Sequence, residues 1–171
     1  FEPAHRLHLV CQNIVQAYDA VAVVRIACRA ASMAASSPGF QAYLRSVCPS
    51  VEAVQGMLWL KVCSSRFASS LAACFVLSSP VENVPLYKHV LLFLQSYPSL
   101  LETSQTKRDI VDTFKVGVNG EKVERLGLLF STVMYPVVRC LGAAGTSQSS
   151  GMTFSWLTDF WVNRAAHQFC G

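Results

Sequence analysis

The feature that most constrains this chain is the stretch NGEKVERLGLLFSTVMYPVVRCLG, from Asn119 to Gly142. Leu126, Leu129, Phe130, Val133, Val137 and Leu141 recur in it at helical spacing, and Leu128, Met134 and Val138 make most of the remaining circumference apolar too. Asn119 is suited to capping such a helix, Glu121 and Glu124 to its positive end, and Gly142 to its stop. A helix apolar on nearly every side has to be covered. The run from Leu126 to Val138 is shorter than the about 20 residues that span a bilayer, so the expected covering material is protein. That expectation puts this helix at the centre of a helical core.

The remaining segments carry the same period. Pro3 suits a first helical turn, and Val10, Cys11, Ile14, Tyr18, Val21 and Ala22 form one stripe that runs on into the alanine-rich RAASMAASS, whose small side chains admit a close neighbour. This first helix is expected either to exceed 25 residues or to break near Arg25, with Ser36, Ser37, Pro38 and Gly39 as its stop. A short helix through Phe40, Tyr43, Leu44 and Val47 follows Pro38 and closes at Pro49. Ser50 is a cap for Val51 to Ser79, which reads as one bent helix or as two joined near Ser64 and Ser65; the lack of Gly or Pro at the join favours one. Asn83 and Pro85 open a helix that Pro98 ends. Capping-box spacings at Ser99 to Glu102 and Thr106 to Asp109 mark two further starts. Phe114 to Val123 carries a hairpin signal at Asn119 and Gly120, but its returning residues do not alternate, so a helix entering a tight turn is preferred. Residues 142–152, GAAGTSQSSG and its neighbour, read as a flexible loop before a last amphipathic helix bearing Trp156, Phe160 and Trp161, an aromatic stripe expected at the core or at a protein interface. The expected fold is therefore all-α: one domain over residues 1–171, whole or a piece of a longer chain, built as an antiparallel bundle or an irregular solenoid-like stack of about six to eight helices.

Composition enters where it limits function. Charged residues are 14% of the chain against a usual share of about 25%, and 52% is hydrophobic. A lone monomer of this make-up would present larger apolar patches than soluble monomers tolerate, so protein partners are expected. The net charge of +4 is modest, yet Arg25, Arg29, Arg45, Lys61 and Arg66 face only Glu52 between residues 25 and 66. That patch could meet RNA, with Trp59 as a stacking group, or an anionic membrane surface, although a dedicated nucleic-acid domain has a stronger basic excess. No stretch reads as a transmembrane span, because Lys61 and Arg66 interrupt the other long apolar segment.

Chemical motifs are few. Seven cysteines form no CxxC pair and are odd in number, which favours a reducing, intracellular compartment over a disulfide framework. His5, His8 and Cys11 are spaced by three, but three such side chains cannot converge on one ion without unwinding their helix. His89 and His167 stand alone. Neither a G-x-S-x-G elbow nor a P-loop ending occurs, and the close carboxylates Asp109 with Asp112 and Glu121 with Glu124 are explained by first helical turns. The reading is a non-catalytic structural or accessory subunit of a protein assembly, with no metal or cofactor site. A chain beginning at Phe1 is accounted for by a cleaved organellar leader or by excision from a longer protein, and a mitochondrial location is preferred. The alternatives are RNA or ribonucleoprotein contact through residues 25–66 and carriage of an apolar ligand, the latter requiring a large internal cavity.

Overall fold

The computed structural model describes residues 3–48 and 69–134. In chain order these form α1 (Pro3–Ala17), α2 (Val21–Ser36), α3 (Pro38–Val47), α4 (Ser69–Ser78), the two-residue strands β1 (Pro80–Val81) and β2 (Val84–Pro85), α5 (Leu86–Ser96), α6 (Pro98–Glu102), α7 (Gln105–Lys115) and α8 (Gly117–Leu129). A π-helical turn over Phe130–Met134 extends α8. The fold is all-α, as the periodicity predicts, with a single antiparallel β-bridge pair among the described residues.

The helix at the centre is α4, not α8. Its sequence SSLAACFVLS has no polar face, and every residue from Leu71 to Leu77 is buried. α4 packs most heavily on α8 and α2, while α5 packs on α4 and α7. Burial of each large apolar side chain at this centre, such as Leu71 and Leu77, contributes about 1.5–3 kcal/mol. On α8 only one side is covered: Val123, Leu126 and Phe130 are buried, whereas Leu128 is 62% exposed. The helix also begins at Gly117, two residues before the expected cap, so Asn119 lies inside its first turn and donates from Nδ2 to Thr113 O at 2.9 Å. The hairpin alternative for this segment is not formed; α7 passes into α8 through an extended Val116.

Small residues set the close helix contacts. Ala27, Ala30, Ala31 and Ala34 form the buried side of α2, opposite an α4 that presents Ala72 and Ala73, as the alanine-rich stretch predicts. At the α4–α8 crossing Gly127 lies against the backbone of Cys74 and Phe75, and a Cβ there would sit 3.0 Å from Cys74 O and from Phe75 Cα. Aromatic rings close the other end. Phe40, wholly buried, meets the edge of Phe93 at 5.4 Å, and Tyr43 and Tyr97 flank the same ring.

Several boundaries differ from the sequence reading, each for a local reason. The first long helix breaks at Asp19, not near Arg25. Ala20 N donates to Val15 O and Asp19 N to Gln16 O, both at 3.0 Å, with Asp19 at φ 50: a Schellman stop whose left-handed residue is Asp in place of Gly. Ala20 and Val15, the apolar pair that accompanies such a stop, are both buried. Asn83 caps nothing. PVENVP folds back on itself, pairing Pro80 with Pro85 and Val81 with Val84, and Glu82 and Asn83 take φ 49 and 63 as a two-residue hairpin turn requires. Helix α5 then starts at Leu86. Neither capping-box spacing forms its box: Ser99 is inside α6, and α7 is capped by Ser104, whose Oγ accepts from Lys107 N at 3.4 Å. Ser37 is the cap of α3, accepting from Phe40 N at 3.2 Å. The expected cap at Ser50, the join near Ser64, the 142–152 loop and the Trp156 helix lie outside the described residues.

Candidate functional site

Two helices that leave one Schellman stop in different directions bound an open space. α1 turns His8, Cys11, Gln12, Val15 and Gln16 toward it, and α2 turns Val21, Val24, Arg25, Cys28, Arg29 and Ser32. Both sets follow the 3-4 spacing of one helix face. Ser70 of α4 and Thr106 of α7 complete a half-open cleft of about 800 Å³. From Val21 to Ser32 the cleft follows α2 for about 16 Å, at 1.5 Å per residue.

The break that makes the cleft is held from α8. Lys122 Nζ donates to Asp19 O at 2.8 Å, across the left-handed turn, and Arg125 Nη1 donates to Tyr18 Oη at 3.2 Å. The Tyr18 hydroxyl and then the neighbouring Glu121 carboxylate favour the charged guanidinium of Arg125. A second, smaller cleft of about 430 Å³ lies beside this clamp, between Ile14, Ala17 and Tyr18 of the α1 side and Leu126 and Leu129 of α8.

The main cleft is apolar below and basic above. Cys11, Val15 and Val24 are buried, and Cys28 is partly so. Arg25 is exposed and makes no ion pair among the described residues. Arg29, one turn on, lies 3.9 Å from Asp109 Oδ2 with 48% of its side chain exposed, which is a weak surface pairing. None of the described lining residues is a carboxylate.

Burial raises the Cys11 thiol to about 11, with a backbone hydrogen bond opposing. Burial also raises Cys28, against a hydrogen bond to the Ser70 side chain, and raises fully buried Cys74 further, with Cys28 adding to the rise. Thiols held protonated are poor nucleophiles and poor metal ligands. His8 and Cys11 share the α1 wall, but no group of three potential metal ligands assembles among the described residues. His89 is a packed core histidine: Nε2 lies 2.9 Å from Val81 O, and because a carbonyl only accepts, Nε2 carries the proton. Its buried Nδ1 has no partner among the described residues. The close carboxylates are not in first turns. Asp109 accepts from Gln105 Nε2 at 2.7 Å, and Glu124 accepts from the Tyr87 hydroxyl at 2.8 Å.

Of the basic patch, the structure brings Arg25 and Arg29 together and leaves Arg45, exposed on α3, off the cleft; Lys61 and Arg66 lie outside the described residues. Trp156, Phe160 and Trp161 also lie outside them. The α1 wall of the cleft was missing from the sequence-derived site, and its signal was present in the spacing of residues 8, 11, 12, 15 and 16. No described helix is long and apolar enough to cross a membrane. The site and fold define an all-α protein with a basic-rimmed apolar cleft. Comparison with protein-family models, with curated proteins and with solved structures finds no match.

Proposed function

We propose that this chain is a non-catalytic structural or accessory subunit of a larger protein assembly and that it docks on other subunits through the face made by α1 and α2. The observation that supports this is the long, half-open cleft with an apolar floor, with Val21 at its edge 45% exposed. Leu9 and Val10 on the outer turns of α1 are 44% and 48% exposed and extend the apolar surface of that helix. A groove of this form is the receiving half of helix-in-groove recognition. RNA contact through residues 25–66 has weaker support, since Arg45 does not join the pair on α2 at the cleft. Cys11, Cys28 and Cys74 are free thiols, which favours a reducing intracellular compartment; a mitochondrial one remains part of the proposal.

The experiment is size-exclusion chromatography of extracts from the native source, followed by immunodetection. The wild-type chain is expected to elute well above the mass of the free polypeptide, and Leu9→Asp plus Val21→Asp, both at exposed positions, to elute as the free chain with unchanged helical circular dichroism. Elution of the wild type as a monodisperse free monomer refutes the proposal.

A further inference from the structure

Resting on that reading, we infer that the occupant of the α1–α2 cleft is an amphipathic helix of a partner protein, carrying two carboxylates one turn apart along one edge. Shape is the first argument. A cleft about 16 Å long and open along its side accommodates a rod of about three helical turns, whereas a compact ligand would leave part of it empty. The floor is the second. Val15, Val24 and Cys28 offer apolar contact, the Ser70 hydroxyl beside them is already hydrogen-bonded to Cys28, and the protonated thiols of Cys11 and Cys28 behave as small hydrophobes.

Charge is the third argument and fixes the partner's edge. Arg25 and Arg29 stand at i and i+4 on one face of α2, so their guanidinium groups repeat at about 6 Å, the rise of one turn. Among the described residues Arg25 has no ion-pair partner, Arg29 has the long contact to Asp109, and no lining carboxylate opposes them. An adjacent helix with Glu or Asp at i and i+4 meets that repeat in register, with the planar, bidentate pairing for which arginine is suited. Gln12 and Gln16, one turn apart on the α1 wall, offer neutral hydrogen bonds to its other edge.

The test is fluorescence polarisation with the full chain and stapled helical peptides. One peptide carries leucines at i, i+3, i+4 and i+7 and glutamates at i and i+4 along one edge; its twin carries lysines in place of the glutamates. The glutamate peptide is expected to bind, at least ten-fold more tightly than its twin, and to weaken as salt is raised. Arg25→Glu plus Arg29→Glu should reverse the preference, so that the lysine peptide binds better. Arg25→Glu alone, which breaks no ion pair of the described fold, should narrow it. Equal binding of both peptides, abolished by Val21→Asp, overturns the acidic edge and leaves the docking reading standing. Binding of a single-stranded RNA oligonucleotide or of phosphatidylserine vesicles through the same arginines, with neither peptide bound, overturns both. Binding of no probe overturns the inference, while the elution experiment judges the docking reading independently.

Discussion

Gly127 and Gly117 lie in the same helix and should respond to alanine with opposite signs. At Gly127 a methyl group would collide with Ser78 Oγ and lie 3.0 Å from both Cys74 O and Phe75 Cα. The hydroxyl can rotate away, at the loss of its bond to Phe75 O. The two backbone atoms cannot move without shifting α4, the helix on which the core is built. Overpacking of this kind costs about 1–3 kcal/mol, to which the loss of the Ser78 bond adds about 1 kcal/mol. Alanine in a helix interior returns about 1 kcal/mol relative to glycine, so Gly127→Ala should destabilise by about 2 kcal/mol. Nothing lies within 4 Å of a Cβ at Gly117, and there alanine should be neutral or stabilise by up to about 0.5 kcal/mol. Urea unfolding followed by circular dichroism measures both. With a slope of about 2 kcal/mol per molar, the Gly127 variant should unfold about 1 M earlier, and its thermal midpoint should fall by about 4–8 °C. Adding Ser78→Ala should recover only part of the loss, because the backbone contacts remain. A Gly127→Ala protein as stable as the wild type, with the same slope, would refute the close α4–α8 crossing.

Two further outcomes follow from residues outside the cleft. Asp19 holds a left-handed conformation, so Asp19→Gly should stabilise by about 0.5–1 kcal/mol and Asp19→Ala should destabilise by about 1 kcal/mol; a helix running unbroken through this point would make alanine the better residue, and the same urea titration separates the two. The alkaline limb of stability should carry a contribution from Tyr87, whose hydroxyl is raised above its ordinary value by burial first, then by its hydrogen bond to Glu124 and by the charges of Glu124 and Glu121. A phenol raised in the folded state binds its proton more tightly there than when unfolded. Its contribution is therefore complete below about pH 10 and is lost as pH rises beyond it. Burial of Cys11 and Cys74 acts in the same direction from about pH 8.5, so the comparison must be with Tyr87→Phe, which keeps the thiols. That variant should start about 0.5–1.5 kcal/mol less stable and lose less between pH 9.5 and about 11; parallel curves would show that the hydroxyl is not enclosed.

The residues that were legible in the sequence and those that were not differ in a physical way. Periodicity reports which face of a segment is apolar, and it located α3, α5 and α7 and the alanine side of α2, though not the start of α2. It does not report how much of a segment the rest of the chain covers. The stretches around Leu128 and around Phe75 are both apolar nearly all round, yet Leu128 is exposed and Phe75 is buried, because among the described residues α4 is covered all round from Leu71 to Leu77 and Leu128 lies on the uncovered side of α8. Backbone conformations with positive φ escape periodicity altogether, and among the described residues Asp19, Glu82 and Asn83 are the non-glycine residues that adopt them. In PVENVP the mirrored order of valines and prolines about Glu82 and Asn83 was a usable sign; at Asp19 the stripe simply continues and no glycine marks the stop, which is closed by local backbone hydrogen bonds and contacted by Lys122 and Arg125, more than one hundred residues away. The cleft opens from that stop. Each of its two walls can be read locally as one face of a helix, but the space between them follows from the Asp19 stop, at which α1 gives way to α2.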